Sequence, residues 1–177
     1  ALHSAVGYFD GNIDVLRVLV QNGADVNLKN QDNQTAFMVA ISESLGNSRC
    51  SAKVLIKSGA EVHHVDKYGM TALHKAGRLG RSEIIRILIQ SGVDINAADK
   101  RKKTALWYAA VNSFMGDGSA TCLLHLVCGG AKIDEKTIEK DKTGVLGLIE
   151  ERLELLRAGE RIGTSLMSEE ERRFCLL

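Results

Sequence analysis

The chain is expected to fold as an all-α solenoid of helix-turn-helix repeats, joined by β-hairpin loops and followed by C-terminal capping helices. Three observations predict this. Gly23, Gly59, Gly92 and Gly130 recur at spacings of 36, 33 and 38 residues. Each is followed by the same kind of arm: Ala24-Asp25-Val26-Asn27, Ala60-Glu61-Val62-His63, Val93-Asp94-Ile95-Asn96 and Ala131-Lys132-Ile133-Asp134. Ahead of each glycine lies an apolar stripe spaced i, i+1, i+4, i+5, one face of a 3.6-residue period. A unit that recurs in this way buries its apolar face by stacking on its copies.

The first unit (1–29) begins inside its own first helix, because Ala1-Leu2-His3-Ser4-Ala5 matches Ala72-Leu73-His74-Lys75-Ala76. Val15, Leu16, Leu19 and Val20 form the expected buried stripe of its second helix. The second unit (30–65) opens at Asn30-Gln31-Asp32-Asn33-Gln34-Thr35, with Asn33 where the third unit has Gly69. Asn tolerates the left-handed conformation better than most residues. The first helix of this unit carries Met38, and its second has the weakest stripe of the set, Ser51, Ala52, Leu55 and Ile56.

The third unit (66–98) is the most regular. A tight turn, Asp66-Lys67-Tyr68-Gly69, leads into Thr71-Ala72-Leu73-His74-Lys75-Ala76-Gly77. Gly80 breaks the pattern, and Ile84, Ile85, Leu88 and Ile89 follow before Gly92. A glycine there suits a left-handed helix cap. Asp66-x-x-Gly69-x-Thr71-x-Leu73-His74-x-Ala76, then Gly80-Arg81-Ser82-Glu83-Ile84-Ile85, then Gly92-Val93-Asp94-Ile95-Asn96 resembles an ankyrin repeat almost throughout. The resemblance extends over residues 1–134 and implies a protein-binding scaffold or adaptor. It also marks departures. Met38 and Trp107 stand where the family has His, a side chain that usually ties one turn to its neighbour. His63 replaces the arm's usual Asn and is expected to do a similar surface job. Ala36, Ala72 and Ala105 stand where it often has Pro, and the chain contains no proline.

The fourth unit (99–134) has Asp99-Lys100-Arg101-Lys102-Lys103-Thr104 at its front, with Lys102 where glycine is preferred, a long inter-helix loop from Val111 to Gly118, and the stripe Cys122, Leu123, Leu126 and Val127. The remaining residues (135–177) are expected to be a helical cap. Val145, Leu148, Ile149, Leu153 and Leu156 lie at helical spacing, and Ser168-Glu169-Glu170-Glu171 reads as a capping box. The opening Ala1-Leu2-His3, mid-unit and without methionine, is what a segment of a longer chain would show.

With 177 residues and 45% hydrophobic content the chain can build a sizeable core. Its net charge of +1 leaves no whole-molecule field towards nucleic acid or an anionic membrane. No run of eighteen apolar residues or signal peptide is evident. Cys50, Cys122, Cys128 and Cys175 show neither a CxxC pair nor a disulfide framework, which favours reduced thiols and a cytoplasmic or nuclear protein.

Chemistry is sparse. Cys122-x-x-His125-x-x-Cys128 is the one metal-like spacing, but zinc wants a fourth ligand and none is evident, so these read as core residues with a half-buried His. His63-His64 is a weaker case, and no metal or cofactor is expected. No nucleophile–base or phosphate-loop pattern occurs, the glycines serve turns and caps, and no enzyme is expected. A nucleic-acid site would need a longer basic stripe with stacking aromatics.

What the resemblance implies is a concave face of hairpin tips and first helices that binds another protein. Mapped by register, its candidate residues are Tyr8, Gln31, Asp32, Glu43, Lys67, Tyr68, Met70, Arg78, Leu79, Lys100, Arg101, Lys103 and Asn112. Tyr68, Met70, Arg78 and Leu79 form the expected anchor, since aromatics, Met and Arg are enriched at interface centres. Acidic residues lie towards the second unit and basic ones towards the fourth. The alternatives are a targeting domain of a larger enzyme, channel or ubiquitin-ligase subunit, and, from another class, a metal- or nucleic-acid-binding role.

Overall fold

The computed structural model describes residues 1–7, 13–42, 48–111 and 118–133. Among them are eight helices: α1 (Leu2–Gly7), α2 (Ile13–Gln21), α3 (Ala36–Ser42), α4 (Ser48–Lys57), α5 (Ala72–Arg78), α6 (Ser82–Gln90), α7 (Ala105–Val111) and α8 (Gly118–Cys128). Each odd helix packs on the even helix that follows it. Odd helices also pack on odd and even on even, so the chain is a two-layer all-α stack with α1, α3, α5, α7 in one layer and α2, α4, α6, α8 in the other. The residues expected to form a C-terminal cap, and the long loop of the fourth unit, lie outside the described residues.

The first helices are short and are set by their caps. Thr71 Oγ1 accepts the His74 N–H, and the Thr71 N–H reaches back to His74 Nδ1 at 3.1 Å, a reciprocal capping box. Thr35 and Thr104 accept the N–H groups of Met38 and Trp107 in the same way. Neither Met38 nor Trp107 has the acceptor nitrogen that closes the box in α5. At the far ends, Gly23, Gly59, Gly92 and Gly130 all adopt positive φ, between 74° and 97°. The residue after each donates back to the last helical turn, as Ala24 N does to Leu19 O at 3.0 Å.

The core runs between the layers. Leu16, Leu55, Leu88 and Leu126 repeat at one position of α2, α4, α6 and α8, except that Leu16 sits one stripe position earlier, and all are buried. Phe37, Leu73 and Leu106 fill the facing positions of α3, α5 and α7. The stripes expected in α4, α6 and α8 are buried or packed on the core, Ile56 and Ile89 only partly. In α2 the expectation fails at Val15, which is 37% exposed. Its counterpart Ile84 lies on α6, which packs on α4, α5 and α8, whereas α2 packs mainly on α1 and α4 among the described residues.

Gly77 corrects the view that every glycine serves a turn or cap. It lies inside α5, and a Cβ there would come within 2.6 Å of the Ala105 carbonyl oxygen. Glycine is what lets α5 and α7 approach this closely. The thiols also need a correction. Cys50 and Cys122 are free, but Cys128 is disulfide-bonded. Spacing along a chain says little about which sulfurs meet in space.

Candidate recognition surface

Each hairpin is held by one side chain at its base. Asn30 Oδ1 accepts the N–H groups of Asp32 and Gln34; Asp66 Oδ1 those of Tyr68 and Met70; Asp99 Oδ1 those of Arg101 and Lys103. This turn chemistry folds the tip back on itself. It also lets Asn33 and Lys102 sit at positive φ, 56° and 58°. Successive tips are joined by Lys67 N donating to Asp32 O and Lys100 N donating to Tyr68 O, both at 3.1 Å. The result is one continuous edge.

What sits beneath that edge differs from unit to unit. Lys75 Nζ lies 2.8 Å from Asp66 Oδ2, and both side chains are buried. Burial pushes the Asp66 carboxyl up, but the Lys75 ammonium and the N–H groups of Met70 and Tyr68 outweigh it and hold the acid below its ordinary value. At the matching place in the fourth unit, the Tyr108 hydroxyl donates to Asp99 Oδ2 at 2.7 Å. Burial and this bond push the Tyr108 phenol up to about 12, while Arg101 and Arg78 lie near enough to pull the other way.

Tyr108 is the centre of an aromatic cluster. Its ring meets Trp107 edge to face at 5.2 Å and His74 at 6.0 Å. Lys103 Nζ sits 4.3 Å over the Trp107 ring, and Lys67 Nζ 5.0 Å over Tyr68. The Trp107 indole N–H finds no acceptor among the described residues. His74, in the equivalent slot, reaches Lys103 O at 3.0 Å through Nε2, and His3 reaches Gln34 O at 2.8 Å. Because Thr71 N–H occupies His74 Nδ1, the proton of the neutral ring is on Nε2. Burial keeps His74 neutral, with a pKa below its ordinary value despite the Lys103 carbonyl and Asp99.

The structure places the expected surface residues unevenly. Gln31, Lys67, Tyr68, Arg78, Lys100 and Arg101 are exposed, and Asp32, Leu79 and Lys103 are half-buried. Met70 is a correction: it is buried at 6% exposure. Its backbone closes the hairpin through bonds to Asp66, which turns the apolar side chain inward rather than into a partner's path. Tyr8, Glu43 and Asn112 lie outside the described residues.

Sequence reasoning missed Trp107 and Tyr108 as surface elements. The signal was present in Lys103 and Trp107, a cation just before α7 and a ring in its first turn, near enough in sequence to stack. The metal-like Cys122, His125 and Cys128 do not form a centre. Cys122 is buried, with burial raising its thiol to about 12; His125 is buried rather than half-buried; and Cys128 is in a disulfide. Among the described residues no group of three or more His, Cys, Asp or Glu is placed to hold a metal ion, and no helix is long and apolar enough to cross a membrane.

A family model of ankyrin repeats, three copies long, matches residues 2–99 and again 37–137. Two curated relatives match part of the chain. Potassium channel KOR2 of Oryza sativa subsp. japonica is 34% identical over 91 residues, 49% of this chain and 12% of the channel. Potassium channel GORK of Arabidopsis thaliana is 32% identical over 77 residues, 44% of this chain and 9% of the channel. The matched stretch thus covers only a small part of either relative's length.

Proposed function

The chain belongs to the ankyrin-repeat family, and from that premise we propose that residues 1–134 are a protein-recognition module that binds its partner along the hairpin edge and the odd-numbered helices. Ankyrin repeats are protein-interaction modules, and the polar groups at the base of this edge are already committed inside the fold. The observation that carries the reading is the continuous row of exposed side chains, Gln31, Lys67, Tyr68, Lys100 and Arg101, on hairpins joined backbone to backbone. Arg78, exposed at the end of α5, extends it onto the inner layer. A scaffold or adaptor of the cytoplasm or nucleus, without catalysis or cofactor, is the function that suits this surface.

The test is capture of partners by the purified chain, followed by affinity measurement against the protein identified. Tyr68→Ala or Arg78→Ala should weaken binding by about 1–2 kcal/mol, mainly through faster dissociation. Circular dichroism should be unchanged, because neither side chain is in the core. Loss of binding on substitution of Arg17 or Arg86, in the other layer, with Tyr68 and Arg78 silent, would move the site to α2 and α6.

A second reading is favoured by the partial matches to two potassium channels. In it the array is a targeting domain within a longer polypeptide, as a stretch covering 12% and 9% of the two relatives would be. An antibody raised against this segment separates the readings by the size of the native chain that it detects.

A further inference from the structure

The net charge of +1 conceals a separation of charge between the two layers of the third and fourth units. Segments 66–78 and 99–111, the hairpins and inner helices of the third and fourth units, contain the cations Lys67, Arg78, Lys100, Arg101, Lys102 and Lys103, besides the buried Lys75. Their only carboxylates are Asp66 and Asp99, both buried and both committed to hairpin N–H groups. Segment 79–98, which holds α6, is balanced: Arg81 and Arg86 against Glu83 and Asp94, with Arg86 paired to Glu83 at 3.0 Å. One neighbouring acid does reach the basic side, since Asp32 pairs with Lys67.

The cations are not scattered. Lys100 Nζ donates to Lys67 O at 2.7 Å, drawing the third and fourth tips together. Arg78 ends α5, which packs on the α7 that carries Trp107 and Tyr108; Arg101 stands in the hairpin that leads into α7, its N–H on Asp99 Oδ1; and Lys103 stacks on Trp107, whose ring abuts Tyr108. Tyr68, 53% exposed, lies at the rim under Lys67. The patch therefore pairs unneutralised guanidinium groups with aromatic faces, the combination that holds carboxylates bidentately and covers the apolar atoms beside them.

We propose that the patch formed by Tyr68, Arg78, Arg101, Lys103 and Trp107 is the docking site for an acidic segment of a partner protein, its carboxylates on Arg78 and Arg101 and an adjacent apolar side chain on Tyr68 and Trp107. This rests on the recognition surface proposed above and adds the chemistry of the partner. Charge complementarity selects the occupant: six exposed or half-buried cations meet no exposed carboxylate of their own segments. The two arginines stand on different units, so the segment crosses the junction between α5 and α7 rather than lying along one hairpin.

Trp107 is the chain's one tryptophan and lies inside the patch, so its emission reports occupancy. The chain should be titrated with poly-L-glutamate, with poly-L-lysine and with a single-stranded oligonucleotide of equal charge. Expected is a saturable change in Trp107 emission with poly-L-glutamate that weakens as salt is raised, with none from poly-L-lysine. The pair Arg78→Glu and Arg101→Glu should weaken it at least tenfold, and Arg17→Glu should leave it unchanged, with circular dichroism confirming that both fold. No response to poly-L-glutamate, or tighter binding of the oligonucleotide, would overturn the proposal. A captured partner that depends on Tyr68 but is indifferent to Arg78→Glu and Arg101→Glu would overturn the acidic segment alone and leave the recognition surface standing.

Discussion

Two junctions of the stack share bonds between their hairpins but differ in the arm and helix bonds behind them. Where α5–α6 meets α7–α8, His74 reaches Lys103 O, Asn96 Nδ2 donates to Gly130 O, and Lys132 N donates to Asn96 Oδ1 at 2.8 Å. The junction of the first two units repeats this scheme with His3, Asn27, Gly59 and Glu61. Where α3–α4 meets α5–α6, both bonds are missing. Met38 and Met70 are buried where the flanking junctions have a His and a polar residue, and His63 makes no arm bond among the described residues. That junction keeps its bonds at the hairpins. His64 Nε2 lies 2.8 Å from Asn33 O, Asn33 Nδ2 donates to Val65 O at 2.9 Å, and Lys67 pairs with Asp32. The lesson is that stacking fixes which layers meet, while the arm and helix bonds between units can be lost, with hairpin bonds retained, without changing the stack.

The largest expected effect concerns the buried ion pair, which the third unit has and the second replaces with Asn30 and Val39. Lys75→Met should cost about 3–5 kcal/mol in urea denaturation, because it strands the Asp66 carboxylate without its cation. Adding the second unit's solution, Asp66→Asn with Lys75→Val, should recover most of that loss, since an Asn at this place still accepts the hairpin N–H groups. The pH dependence follows from the lowered Asp66 pKa. Its contribution is complete above the unfolded value of about 3.9 and is lost as pH falls through the folded value. The gap between Lys75→Met and the parent should therefore close in acid. A Lys75→Met chain as stable as the parent would show that the pair is incidental.

The helix-borne bond comes next. His74→Met writes Met38's residue into the third unit and removes the bonds to Lys103 O and Thr71 N, at about 1–3 kcal/mol. It should also flatten the pH profile. A histidine held neutral contributes fully above its unfolded pKa, about 6.5, and less as pH falls through its depressed folded value. Protonation at Nδ1 would expel the Thr71 N–H. Parent and variant should converge as pH drops from 7 towards 5, and parallel profiles would mean that His74 does not titrate against folding.

Much of this architecture was legible beforehand. Cap glycines, stripes and arms place every helix pair, and Asn33 at positive φ follows from its register with Gly69. Depth was not legible. Lys75 matches Ser4, Val39 and Tyr108 across the units, a set with no common polarity, so nothing in the pattern marks a buried lysine. Met70 matches Gln34 and Lys103, two half-buried polar residues, and register alone suggested an exposed position. Trp107 and Tyr108 fell outside the candidate surface because register assigned the first to a family histidine's place and gave no weight to the cross-unit ring contact of Tyr108 with His74. Side-chain depth and partners depend on the neighbouring unit, and a repeat pattern averages over neighbours.

The smallest effect makes the sharpest comparison, because it asks whether the second arm can be restored. If the arms of the second and third units lie as close as those flanking them, His63→Asn should create the missing pair: Nδ2 to Gly92 O and Oδ1 from Asp94 N, the counterparts of Gly59 and Glu61 around Asn27. The gain should be about 0.5–1.5 kcal/mol, the net worth of such bonds at a partly exposed site. The Asp94 amide should become slower to exchange. The reverse change, Asn96→His, should lose a similar amount and speed exchange at Lys132, whose N–H now rests on Asn96 Oδ1. Equal and opposite results would mean that the bonding scheme is transferable and that His63 is a local substitution. If Asn96→His destabilises while His63→Asn gains nothing, the two arms at the methionine junction stand too far apart for an asparagine to bridge. The hairpin bonds of Asn33, His64 and Lys67 would then be the fixed geometry of that junction rather than a substitute for its arm.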